Sequence, residues 1–268
     1  MSALHRFSRT ELLIGSDGLA TLKSSHVLIC GIGGVGSYAA EALGRAGVGR
    51  ITLVDFDDIC LTNVNRQIHA LSSTVSRPKV EVMAERLRDI NPDAEIVPVT
   101  AFFSRDNGQA LLNPAPDYVL DAIDHFTAKT TLITLCRELK IPVISSMGAA
   151  NKLDPTKIHL DDISATRHCR MARSMRKILR QEGIQSGVKV VYSTEEHRQL
   201  DPASTSHCDN ALICPQHDDR SFRCENRKVI LGSISFIPSI FGLTMAGAVV
   251  GELLRNKPLP QISKPEKQ

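Results

Sequence analysis

The chain has 268 residues, 42% of them hydrophobic and 23% charged, enough to bury one substantial core and close to the upper size of a single α/β unit. A formal net charge of +3 excludes neither an RNA nor a protein partner, because so small an average conceals local clusters. The opening MSALHRFSRTELL has no apolar run behind its basic residues, which argues against a secretory signal and predicts a cytoplasmic protein; seven unevenly spaced cysteines exclude a disulfide framework.

In chain order, strands are predicted at residues 26–30, 50–54, 95–99, 118–120 and 141–145, alternating with helices over 35–46, 79–90, 105–112 and 127–139. The alternation predicts an α/β fold, a Rossmann-like, mainly parallel sheet with helices on both faces. After residue 145 the rhythm changes to a hairpin arm over 152–160, a basic helix over 167–182 and a strand at 188–193. Residues 194–227 are polar, contain Pro202 and Pro215, and read as a long loop. The expected organisation is one domain over 1–254 with a basic and polar excursion at 161–228, then a disordered tail over 255–268 rich in Pro and Lys.

The 23 residues from 229 to 251 carry no charge, long enough to cross a bilayer as one helix. Pro238 and three glycines interrupt the run. That favours a buried strand or loop followed by a core helix over 239–254, close-packed through Gly247 and Ala248, over membrane association.

Residues 31–36 read GIGGVG, after an apolar strand and at the start of a helix. Backbone at Gly31, Gly33, Gly34 and Gly36 can then approach a phosphate at the helix N-terminus. Asp55, nineteen residues past Gly36, ends the next strand, where a carboxylate accepts from ribose hydroxyls. These features alone do not separate an NAD-dependent reductase from an adenylating enzyme. The strand end continues through Asp57 and Asp58, and LTNVNRQ brings Asn63, Arg66 and Gln67 to the same edge, where hydride transfer has no need of an arginine.

Taken in order, GIGGVG, VDFDD, NRQ, RPKVE and DAID resemble the ubiquitin-E1-like adenylating enzymes, which activate the C-termini of sulfur-carrier and ubiquitin-like proteins. The resemblance implies the E1-like activating fold with ATP and Mg2+ as cofactors. It places Arg66 and Lys79 on the phosphates with Asn63 assisting, Asp55 on the ribose with Asp57 beside it, and Asp124 on the metal. Asp121 also follows a strand end, and one of the two aspartates could serve only to cap the helix starting near His125. RFSRT is similar to an arm that inserts an arginine, here Arg9, into a neighbouring subunit's site, so a homodimer is implied.

Within that superfamily NRQIHAL, SSMGAANKLDPT, VVYSTE and GSISFIP are similar to the tRNA threonylcarbamoyladenosine dehydratases. The implied substrate is tRNA carrying threonylcarbamoyladenosine at position 37, dehydrated through an acyl-adenylate. The alternative is an adenylyltransferase for a sulfur-carrier protein. A nucleotide-binding module that has lost its chemistry is disfavoured by the retention of Asp55, Arg66, Lys79 and Asp124. Zinc-binding relatives carry CxxC pairs, whereas Cys208, Cys214 and Cys224 form none, even with His207 and His217 nearby. They read as unligated loop residues, with a thioester or persulfide role and a sulfur-transfer partner as the alternative; Cys30 reads as core.

Residues 167–189 hold seven Lys or Arg and one acid, Glu182. Arg173, Arg176, Lys177 and Arg180 fall on one helical face, the arrangement that follows a nucleic-acid backbone and marks the candidate tRNA-binding surface. Few aromatics are present, so stacking is confined to Tyr192 or Phe222.

Overall fold

The structure is a computed structural model, and it describes residues 4–200 and 231–255. After α1 (Ser8–Ser24) come β1 (His26–Cys30), α2 (Gly36–Ala46), β2 (Arg50–Asp55), α3 (Lys79–Ile90), β3 (Glu95–Thr100), α4 (Arg105–Leu111) and β4 (Tyr118–Asp121). The chain continues through α5 (Phe126–Glu138), β5 (Val143–Ser146), β6 (Ile158–Asp162), α6 (Arg170–Gln181), β7 (Lys189–Ser193) and α7 (Phe236–Leu253). The strands form one seven-stranded sheet in the order β3-β2-β1-β4-β5-β7-β6. Every pairing is parallel except β6 with β7.

Alternation along each strand sends side chains to opposite faces. Val27 and Ile29 of β1 join Leu43, Met83, Leu87, Phe241 and Met245 in a core under α2, α3 and α7. Leu28 and Cys30 join Val119, Leu132 and Leu135 under α4 and α5. Cys30 is fully buried, and burial pushes its thiol pKa well up, so it is a core residue as expected. The strand order reverses direction between β1 and β4, and the carboxyl ends flanking that point are where open α/β sheets bind nucleotides.

Three expectations need correction, and one helix is added to those predicted. The stretch over 152–160 is not a hairpin arm but a loop, with Asp154 capping a short turn, that leads into β6; α6 then intervenes before β7 returns antiparallel. The N-terminal residues fold into α1, which is kinked where Gly15 sits at φ +77°. Pro238 does not break the last helix: α7 begins at Phe236, so the proline lies in the first turn, where its missing N–H is no loss. Finally, close packing comes from Gly242, not Gly247. A Cβ at Gly242 would stand 2.2 Å from the Val35 carbonyl oxygen on the approach to α2, whereas nothing lies within 4 Å of one at Gly247. By length and composition α7 could cross a membrane, and it packs along α2 with Ile237, Phe241, Met245 and Val249 in the core.

Candidate active site

The glycine turn is built by two steric requirements and leaves one open face. Gly31 adopts φ +89°, and a Cβ there would stand 2.7 Å from the Ala122 carbonyl oxygen; at Gly36 a Cβ would come within 1.8 Å of the Gly31 oxygen. Neither position tolerates a side chain. At Gly33 the nearest atom is Gln67 Nε2, 3.9 Å from an added Cβ, so this side of the turn is open to a ligand. The N-terminus of α2 has no side-chain cap, which leaves its first turn to satisfy an anion.

Asp55 ties the turn to β2. Its Oδ2 accepts the Ile32 N–H at 2.6 Å and its Oδ1 accepts the Asp57 N–H at 2.9 Å. Burial raises its pKa, with the Lys79 charge opposing. A carboxylate oxygen has two lone pairs, so a ribose hydroxyl can still be accepted. Lys79 opens α3 and is buried, with Nζ donating to Asp57 Oδ2 at 2.5 Å. Burial pulls the Lys79 pKa down, but Asp55 and Asp57, with Asp124 adding to them, raise it above its ordinary value. A charged ammonium therefore stands among three carboxylates that favour its protonated form.

Arg66 packs its Cγ 3.3 Å from the position of an added Gly34 Cβ, and its Nη1 donates to Thr62 O at 3.0 Å and Asn65 Oδ1 at 2.9 Å. Asn63 is buried and serves the loop, its Oδ1 accepting the Cys60 N–H at 3.1 Å. Asp124 is exposed just before α5, whose N-terminus is capped by His125 Nδ1 accepting from Ala128 N at 3.4 Å. Asp121 has a different role. With Lys129 it forms a fully buried ion pair of 2.7 Å, and Ser145 Oγ donates to the same carboxylate oxygen at 2.6 Å while Lys129 Nζ also donates to Ser146 O at 2.9 Å. The other Asp121 oxygen accepts the Ile123 N–H at 3.1 Å, so this pair holds the turn that carries Asp124 and presses Ala122 on Gly31. Nothing in the sequence marks Lys129, since a helical lysine ordinarily reads as surface.

Among the described residues no group of three or more His, Cys, Asp or Glu forms a metal cage. Mg2+ needs none, because it is commonly held by one or two carboxylates plus substrate phosphates. Asp124 and Asp57, both acting on Lys79, fit that requirement. Cys208, Cys214, Cys224, His207, His217 and Phe222 lie outside the described residues.

Arg9 is exposed on α1, away from this site in its own chain. Its neighbour Phe7 packs beside Gly47 past the end of α2, and Arg6 donates to Asp89 O near the end of α3, both at the opposite edge of the sheet. On α6, Arg173, Lys177 and Arg180 are exposed, but Arg176 is turned inward and bonds Thr166. Arg170 takes its place on the exposed stripe. Tyr192 is no platform for a base: it is 2% exposed and its hydroxyl donates to Asp161 Oδ2.

Residues 7–265 match the ThiF family. The tRNA threonylcarbamoyladenosine dehydratase of Bacillus subtilis is 46% identical over 253 residues, 94% of this chain and 96% of that protein. The Escherichia coli dehydratase is 44% identical over 220 residues, 80% of this chain and 76% of its own length. The crystal structure of the E. coli enzyme in complex with ATP superposes with a TM-score of 0.79 at 35% identity, covering 93% of this chain and 94% of that one. A match over this much of both chains makes the chain a member of the ThiF family.

Proposed function

We propose that the protein uses ATP to dehydrate threonylcarbamoyladenosine in tRNA, in the cytoplasm. The observation that carries this is the buried Lys79 ammonium, bonded to Asp57 and kept charged by Asp55 as well, beside an uncapped helix N-terminus, in a chain similar over nearly its whole length to such dehydratases. The threonyl carboxylate attacks the α-phosphorus, pyrophosphate leaves, and an acyl-adenylate results. The substrate side chain's own nitrogen or oxygen then attacks the activated carbonyl, and AMP departs with the former carboxylate oxygen, so the nucleoside loses one water. Intramolecular closure has high effective molarity and needs no enzyme nucleophile.

Lys79 and Arg66 neutralise charge that grows on the phosphates. Asp55 holds the ribose, and Asp124 with Asp57 would hold Mg2+, which supplies further charge neutralisation at the phosphate oxygens. The exposed α6 stripe of Arg173, Lys177 and Arg180 contacts tRNA phosphates. Incubation with ATP, magnesium and threonylcarbamoyl-modified tRNA, followed by nucleoside mass spectrometry, should give a modified adenosine lighter by one water. An unchanged nucleoside, with AMP formed instead on a carrier-protein C-terminus, would favour the adenylyltransferase alternative; the absence of CxxC pairs speaks against it.

The remoteness of Arg9 from its own site supports a homodimer in which each subunit donates this arginine to the other's triphosphate. Consider a mixed dimer with Arg9→Ala in one subunit and Asp124→Ala in the other. Donation in trans gathers both defects into one site, and about half of the normal turnover should persist. Donation within the chain spoils both sites, so an inactive but folded mixed dimer would remove the trans assignment.

A further inference from the structure

Along the same sheet edge as the glycine turn, a cleft of about 590 Å³ lies between the loop before β6 and the segment after β7. Lys157, His168, Glu195, Glu196, His197 and Arg198 line it. Two of its acids are occupied in building the walls. Glu195 accepts the Leu153 and Asp154 N–H groups at 2.9 and 2.8 Å, and Asp154, also on the lining, caps Thr156 N at 3.0 Å. Lys152 donates from below to the Glu195 carbonyl oxygen at 2.5 Å. His197 Nε2 meets Asn151 Nδ2 at 3.2 Å, which makes Nε2 the acceptor and Nδ1 the ring donor. Burial, with Arg170 and Lys152 adding to it, holds the His197 pKa below the usual range, so the ring is neutral. What faces the cleft is thus a mixture: Lys157 and Arg198, each paired with a wall acid (Asp154 Oδ2 at 3.6 Å and Glu195 Oε1 at 3.4 Å) and each keeping further N–H donors, two imidazoles, and the exposed carboxylate of Glu196.

The surroundings are basic. His168 stands at φ +59°, uncommon for a residue with a side chain, and Arg167 and Arg170 on either side of it are exposed. Met171 lies 3.4 Å from an added Cβ at Gly148, so α6 begins just past the end of β5 and its basic stripe runs up to the rim of the cleft. A strap joins the cleft to the nucleotide site: Asn151 N–H donates to Gly232 O at 2.8 Å, Asn65 Nδ2 to Ser233 O at 3.0 Å, and Pro238 rests against Gly34. In the sheet order β7 is three places from β1, which puts the cleft roughly 14 Å from the phosphate turn at the usual strand spacing.

We propose that this cleft binds an unpaired nucleotide of the RNA next to the modified adenosine, with the base edge on the mixed donor and acceptor floor and its phosphate at the Arg167–Arg170 rim. The inference rests on the dehydratase reading above. A site for a simple anion or cation would present one sign of charge. A mixture of donors and acceptors instead suits a base edge, which single-stranded RNA loops expose.

The test uses the full-length protein and modified anticodon stem-loop RNAs carrying 4-thiouridine at one loop position at a time, with crosslinked peptides mapped after irradiation. A position flanking the modified adenosine should crosslink to peptides holding residues 157–168 or 194–198. Lys157→Ala/His168→Ala should lose that crosslink and raise KM for tRNA about tenfold, as for one lost nucleotide contact. Its kcat and the rise in Tm on adding ATP should stay as in the parent. Because a misfolded double variant would mimic the loss, the exposed Arg167→Glu is tested alongside, and it too should raise KM without altering kcat. Crosslinks confined to other surfaces, or KM within twofold in both variants, overturn the cleft assignment while leaving the dehydratase reading intact. A parent enzyme that does not dehydrate the RNA at all overturns both.

Discussion

Lys79→Ala should lower AMP formation by about 10²–10³-fold while leaving a folded protein that still contains α3. The ammonium is nearly buried, is held 2.5 Å from Asp57 Oδ2, and is kept charged by Asp55 and Asp57 against the pull of burial. In the proposed reaction it is therefore pre-positioned where negative charge would accumulate as pyrophosphate departs, with no reorganisation required at that moment. Removing it also leaves neighbouring carboxylates facing each other, which adds an electrostatic barrier to the approach of a triphosphate. Lys79→Arg keeps the charge but enlarges the head, and should recover only part of the rate. AMP and pyrophosphate release with saturating ATP and modified tRNA measures the effect, and circular dichroism establishes folding. A rate within tenfold of the parent would show that Lys79 has no part in the transfer.

Lys129→Met should destabilise the protein by about 3–5 kcal/mol, because it strands the Asp121 carboxylate in a site that solvent does not reach. Ser145 would continue to donate to Asp121, but one hydroxyl does not offset a buried charge. The loss corresponds to a drop in Tm of roughly 10 °C for a chain of this size. Replacing both partners, Asp121→Leu with Lys129→Met, should recover much of that stability. The double variant would still lose the bond from Asp121 to Ile123 N that sets the turn before Asp124, so it should fold better than the single variant and yet adenylate poorly. Urea midpoints for the parent and the two variants decide this, and a single-variant loss below about 1 kcal/mol would deny the pair its structural role.

What could be read in the sequence was whatever local chemistry makes obligatory. Apolar β-branched runs bounded by Gly, Pro and Asp located β1 to β5, and the strand-turn-helix context of Gly31 and Gly36 located a tight glycine turn whose contacts leave no room for a Cβ. Asp55 followed from its position at a strand end. The failures share a cause, in that each depended on which neighbour a side chain meets. In α1, Ile14, Leu19 and Leu22 are buried while Leu12 and Leu13 are 81% and 75% exposed, so no single apolar stripe announces a helix. Arg176 has the correct helical spacing for the basic face, but Thr166 sits close enough to draw it inward, and Arg170 replaces it. Lys129 has no helical signature at all, because its burial depends on Asp121, Ser145 and Ser146 arriving from two adjacent strands.

The seating of α7 bears on how the protein is made. Pro238 rests on Gly34, and Gly242 brings α7 into backbone contact with Val35 and Ala39 at the head of α2, so the latest helix of the described chain braces the earliest loop of the nucleotide site. A nascent chain still attached to the ribosome before this helix emerges holds the residues of β1, β2 and β4 but lacks the groups that back its glycine turn. Domains ordinarily fold as units during synthesis, from the N-terminus onward. Here the proposed ATP cradle joins an early loop to a late helix, and a polypeptide lacking that helix has no completed cradle.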